Sequence, residues 1–241
     1  HSEPLKRIED AAMLRNTQFR EDSGPTAHPV KPDSYQAIDN FYTTTIYEKG
    51  AELIRMLRTL LGPERFMRGM SLYFQRHDGE AATTEDFVNA IVDGAGADGQ
   101  PLGFDVEQFR LWYHQAGTPH VTVKSHWDGE AGRLSLTLQQ STAPTPGQER
   151  KQALVIPVLW SVLQANGGAG EERLLVLDQE TQTVVLEGLS PAVQPPVVSL
   201  FRRFSAPVTW ASGQTLDDLF ALFAGDNDAF ARWDAGQQLW K

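Results

Sequence analysis

Apolar residues recur at helical spacing through the first half of the chain and at strand spacing through most of the second. Residues 5–19 place Leu5, Ile8, Ala12 and Phe19 on one side, which predicts an opening helix. A loop follows over 21–32, with three prolines and a glycine. From Thr45 the period is again helical, through Ile46, Leu53, Ile54, Leu57, Leu60 and Leu61, until Gly62-Pro63 stops it. Thr45 and Glu48 have the spacing of a capping box, which makes Thr45 the expected N-cap and puts Tyr47 in the first turn. A start nearer Asn40 is the alternative.

Residues 63–77 predict the next helix, with Pro63 at its first position. Thr83 or Thr84 is expected to cap another over 83–96, and Asp105 a further one ending at Gly117. At Thr118-Pro119 the period shortens. VTVKS, RLSLTLQQ, LVIPVLWSVLQ, ERLLVLD, QTVVLEG and VVSLFRRF read as strands of an antiparallel sandwich, with Asn166 to Gly170 as a hairpin tip. After Trp210 to Gly213 the helical period returns, in LDDLFALFAGDND and AFARWDAGQQLWK. The chain opens directly in a helix and ends with Trp233, Leu239 and Trp240 uncovered. It is therefore expected to be a piece of a longer polypeptide.

Composition narrows the function classes. A net charge of -10, with no basic stripe, argues against nucleic acid or an anionic membrane surface as partner. There is no cysteine, so disulfides and thiolate metal sites are excluded. No apolar run approaches the roughly 20 residues that cross a bilayer.

Self-contained catalytic motifs are missing: there is no H-E-x-x-H, G-x-S-x-G, P-loop or G-x-G-x-x-G. His114, His120 and His126 fit no zinc spacing and read as structural or surface residues, as does His28 in its proline-rich loop. Asp226 and Asp228 read as a helix N-cap cluster, and Glu171-Glu172 as a solvated face. What remains is Tyr42 and Tyr47. A tyrosine in a first helical turn is either an amphipathic residue at the core's edge or a phenol donor aimed at an oxyanion. A phenol, with an ordinary pKa of about 10, is neutral at working pH and can donate to a developing negative charge.

The run NFYTTTIYEKGAELIRML, with AHPVKPDSY before it, resembles the zinc aminopeptidase N family, most closely its bacterial alanyl aminopeptidase branch. The likeness continues through LGPERFMRGMSLYFQRHDGEAATTEDFV, FRLWYHQAGTP, LVIP, SAPV and FARWDA, in order along the whole chain. It implies an α+β multidomain arrangement. Residues 1–118 would be the C-terminal helical part of a thermolysin-like catalytic domain, 119–210 an antiparallel β-sandwich domain, and 211–241 the first helices of a C-terminal α-helical domain. In that family zinc is held by two histidines of H-E-x-x-H and a glutamate on the next helix, and G-x-M-E-N grips the substrate's free amine. Those motifs are expected upstream of His1.

The resemblance assigns Tyr47, before E-K-G-A, as the catalytic tyrosine that stabilises the oxyanion together with zinc. It makes Tyr42 a wall of the pocket for the substrate's first side chain. Asp39 stands in that pocket where close relatives have asparagine, so a carboxylate would face the substrate there. The implied partners are peptides with a free N-terminus and the rest of the same polypeptide, with neither nucleic acid nor membrane. The implied location is cytoplasmic. The isolated chain, lacking metal ligands and general base, is expected to be inactive. The alternative of another class is a non-catalytic β-sandwich interaction module. A glycosidase accessory sandwich is disfavoured, because no aromatic platform alternates along the strands.

Overall fold

In a computed structural model, which describes residues 2–34, 37–163 and 168–240, the opening helix runs further than its apolar pattern. Helix α1 (Glu3–Met13) continues through a π-turn (Leu14–Gln18) into α2 (Phe19–Asp22). Its buried stripe is Arg7, Ala11, Leu14, Gln18 and Asp22, spaced three or four residues apart. The expected stripe is thereby corrected: Leu5 is exposed, and three of the five buried positions are polar. Each of those three is buried because it has a partner. The Arg7 guanidinium forms a two-pronged pair with Glu52 and donates to the carbonyls of Arg203 and Phe204, both at 2.8 Å.

Helix α3 (Gly50–Leu61) buries Leu53, Met56, Leu57, Leu60 and Leu61. Gly62 turns the chain and Pro63 opens α4 (Pro63–His77), as predicted. Helix α5 (Thr84–Gly96) carries a complete capping box between Thr83 and Asp86. It crosses α4 at an unusually close approach, where a Cβ on Gly94 would sit 2.6 Å from the Cα of Gly69. Helix α6 (Val106–His114) is capped by Asp105, which accepts from the Gln108 N–H at 2.9 Å. It ends at His114 and not at Gly117, because Ala116 and Gly117 spend their N–H groups elsewhere. Ala116 donates to Gln148, and Gly117, at φ +95°, donates to Asp22.

The sandwich has a four-stranded sheet in the order β5-β2-β1-β7 and a three-stranded sheet in the order β4-β3-β6. These are β1 (His120–Asp128), β2 (Arg133–Ser141), β3 (Ile156–Val162), β4 (Arg173–Leu177), β5 (Thr181–Leu186), β6 (Val198–Ser199) and β7 (Thr209–Ala211). β1 and β2 pair antiparallel, His120 opposite Ser141, and send Val121, Val123, Leu134, Leu136 and Leu138 inward. All seven residues of β3 are buried. Strand β7, which the pattern did not predict, pairs parallel with β1. Asn166 and Gly167, two of the five residues of the predicted hairpin tip, lie outside the described residues.

The segment VVSLFRRF is corrected from a strand. Only Val198–Ser199 pair, and Phe201, Arg203 and Phe204 take left-handed φ of 49°, 55° and 49°. Such a run in non-glycine residues persists only where the surroundings over-determine it. Phe201 and Phe204 are fully buried, Arg7 holds two carbonyls, and the Arg203 N–H donates to Asp228. Glu172 is likewise not a freely solvated charge, since it pairs with both Arg202 and Arg203. Arg202 also reaches Asp226 at 2.6 Å.

Helix α7 (Leu216–Gly225) packs on α8 (Ala229–Leu239), which packs back on the start of the chain. Phe230 joins Ala11, Leu14 and Phe204 in one cluster, and Trp233 and Leu239 are partly covered, whereas Trp240 stays exposed. A single larger core runs from Leu53, Leu57 and Trp112 into Val121, Val158 and Phe201, so helices and sandwich share one interior. Trp112 stitches them by donating to the Val155 carbonyl at 2.7 Å. Among the described residues, no helix is long and apolar enough to cross a membrane.

Candidate active site

The tyrosines sit where irregular chain becomes helix. Residues Ile38–Phe41 form a 3-10 turn, and a π-turn over Thr45–Lys49 leads into α3. The expected capping box is corrected here. Thr43 caps the turn, accepting from the Ile46 N–H at 3.2 Å, while the Thr45 N–H donates to Glu21 at 2.9 Å. Thr45 cannot serve as the cap because its hydroxyl is itself buried and donates to the same Glu21 oxygen at 2.6 Å. π-Turns are rare and concentrate at functional sites. This one carries Tyr47 at its middle.

Tyr42 and Tyr47 come together: their rings are nearly parallel, at 21°, with centroids 6.2 Å apart. Phe41 meets Tyr42 edge-on at 6.0 Å. Both tyrosines face outward, 62% and 57% exposed, so their hydroxyls are available to a ligand. Asp39 is exposed on the 3-10 turn and makes no ion pair or hydrogen bond among the described residues.

Beneath this pair lies a polar cluster that the apolar pattern missed. Lys49, 1% exposed, donates to Asp22 at 2.7 Å and to the Gly117 carbonyl at 3.0 Å. Asp22 also accepts from the Gly117 N–H at 2.8 Å and the Thr118 hydroxyl at 3.0 Å. Burial pushes the Asp22 carboxyl up. The Lys49 ammonium and the hydrogen bonds outweigh it and hold the group below its ordinary value of 3.8. A signal was present: Lys49 lies four residues before Leu53, inside the apolar stripe of α3, and a charge there demands a buried partner.

Nearby, Lys151 donates to the Ala116 carbonyl, Thr145 and Gln148, binding the sandwich to the same junction. Burial pushes its ammonium below its ordinary value. His28 Nε2 lies 3.7 Å from Glu21, so this histidine packs against the cluster. His120 bonds Thr209 at the β1–β7 pairing. Among the described residues, no group of three or more His, Asp or Glu side chains is placed to hold a metal ion.

Comparison with known proteins gives these residues a context. Residues 5–112 match the peptidase family M1 domain, and residues 117–213 match a domain of unknown function, DUF3458, with an Ig-like fold. Aminopeptidase N of Caulobacter vibrioides is 48% identical over 98% of this chain and 26% of its own length. Aminopeptidase N of Escherichia coli is 41% identical over 99% of this chain and 27% of its own. The crystal structure of Legionella pneumophila aminopeptidase A in complex with aspartic acid superposes with a TM-score of 0.76 at 26% identity, covering 98% of this chain and 27% of that one. The chain thus spans about a quarter of the length of these relatives. With the M1 domain match over its helical half and these relatives aligned along nearly all of it, the chain is similar, over almost its whole length, to one segment of the bacterial aminopeptidases N.

Proposed function

We propose that this chain is the part of a zinc-dependent aminopeptidase that presents the Tyr47 phenol to the oxyanion formed on the scissile carbonyl. The observation that carries the reading is the placement of Tyr47: an exposed phenol, stacked beside Tyr42, on a π-turn anchored in the core. A neutral O–H donor fixed in advance stabilises developing charge without reorganising during the reaction. Tyr42 would form a wall for the substrate's first side chain, and Asp39 would place a carboxylate near it, favouring basic N-terminal residues slightly. Zinc and the general base would come from residues outside this chain, whose sequence carries no H-E-x-x-H motif.

The substrates would be peptides with a free N-terminus, in keeping with the names of the relatives, and the setting would be cytoplasmic, which the lack of cysteine fits. Residues 1–118 would belong to the catalytic domain, 119–210 to the sandwich domain and 211–241 to the start of a further helical domain. The shared core between helices and sandwich favours this reading over a free-standing interaction module.

The test has two arms. The 241-residue chain, given zinc and an aminoacyl anilide, is expected to show no turnover, because a phenol does not generate the attacking hydroxide. In the full-length polypeptide, Tyr47→Phe is expected to lower kcat by about 10²–10³-fold, the scale of one oxyanion donor. Turnover by the isolated chain, or full activity of the Phe variant, refutes the reading.

A further inference from the structure

We propose that Glu21 and Asp22 are positioning residues for Tyr47, holding from adjacent places at the end of the first helix the two ends of the π-turn that carries its phenol. The inference rests on the reading of Tyr47 as oxyanion donor and extends it to groups that never touch substrate. Glu21 holds the front of the turn: one carboxylate oxygen accepts from both the N–H and the hydroxyl of Thr45, at 2.9 and 2.6 Å. Gln18 supports the same hydroxyl from the preceding turn, at 3.2 Å. Asp22 holds the back through the buried Lys49 ammonium, at 2.7 Å, which is fixed a second time by the Gly117 carbonyl. Tyr47 lies midway between Thr45 and Lys49, and its ring is the part of the turn left facing solvent.

The clamp matters because of what a π-turn is. It closes i→i+5 hydrogen bonds where an α-helix closes i→i+4, so it accommodates one residue more than the α-helical register. Relaxation to that register would slide the strand of side chains by one position, and each position is about 100° of rotation around the axis. A phenol turned by that angle no longer points where its neighbour Tyr42 does. Fixing Thr45 and Lys49 at once forbids the slide. The facing segment of the first helix is itself a π-turn, Leu14–Gln18, and it brings Gln18 to Thr45 and sets Glu21 and Asp22 side by side on their two targets.

The experiment compares variants in the full-length polypeptide. Glu21→Ala removes both bonds to Thr45, and Glu21→Gln keeps a carbonyl oxygen that can accept them. Thr45→Val removes the hydroxyl bond at nearly constant volume. The expected result is a fall of about 10–100-fold in kcat for Glu21→Ala, with KM changed less than about twofold, and recovery of most of the loss in Glu21→Gln. Thr45→Val is expected to fall between them, and it carries the test should the Ala variant fail to fold. In the 241-residue chain, 3-fluorotyrosine at position 47 should give one fluorine resonance in the wild type and Glu21→Gln, and a broadened or doubled one in Glu21→Ala. An unchanged kcat in Glu21→Ala and Thr45→Val, with Tyr47→Phe inactive, overturns the positioning role and leaves Tyr47's role standing. An active Tyr47→Phe overturns both.

Discussion

Replacing Lys49 by Met tests the cluster beneath the tyrosines through stability alone. Lys49 and Asp22 are 1% and 0% exposed at their side chains, so neither is screened by water. Removing the ammonium leaves the carboxylate buried with neutral donors alone: the Gly117 N–H, the Thr118 hydroxyl and the Gln18 side chain. Breaking a buried pair from one side costs about 3–5 kcal/mol, because the other charge stays uncompensated. Neutralising both sides, in Asp22→Asn/Lys49→Met, avoids that charge and should cost markedly less than the sum of the single changes.

The pH dependence of the same variants has a definite sign. In the wild type Asp22 is held below 3.8, so its contribution is full above that value and is lost as pH falls through the lower, folded-state value. In Lys49→Met the two contributions of the ammonium vanish and burial, the largest influence, pushes the carboxyl above its unfolded value. The folded state then binds the proton more tightly than the unfolded one, and stability rises as pH is lowered through the raised folded-state value. Urea unfolding followed by circular dichroism, at pH 5 and pH 7, reads both effects. A loss below about 1 kcal/mol in the single variant, or an unchanged sign of the pH slope, refutes the account of the cluster.

Other outcomes follow from particular contacts. Gly94→Ala should lower stability by at least the ~1–3 kcal/mol of an overpacked core, seen as a lower melting temperature, because its Cβ would meet backbone atoms of α4 at 2.6–2.8 Å. Arg15 lies 5.1–5.7 Å from the ring centres of Phe204, Trp210, Phe230 and Trp233 and pairs with Asp234, so Arg15→Ala should loosen α8 and speed amide exchange over 229–239 relative to the sandwich. Tyr47→Phe, at a largely exposed ring, should leave the unfolding free energy within about 0.5 kcal/mol of wild type. A large loss there would make the hydroxyl structural.

The elements legible in the sequence were those in which apolar period and local chemistry agree. Pro63 after Gly62, the threonine cap expected at Thr83 or Thr84, and the alternation of Val121, Val123, Leu134, Leu136 and Leu138 each say the same thing at both levels, and each stands where it was expected. The pattern misled where burial is polar. Arg7, Gln18 and Asp22 occupy the inward face of the first helix, yet a reader of hydrophobic periods assigns that face to Leu5 and Ala12. Their partners, Glu52, Thr45 and Lys49, are 45, 27 and 27 residues away, so nothing local announces them. The same cause hides the left-handed turn at Phe201 to Phe204, whose β-like composition is overruled by an arginine some 196 residues earlier. The π-turn under Tyr47 belongs to this class: periodicity offered a helix start with Thr45 as cap, and Glu21 took Thr45's N–H and hydroxyl for itself. A site whose geometry is set by long-range polar contacts is legible in sequence only as charges out of place, and Lys49 inside an apolar stripe was such a charge.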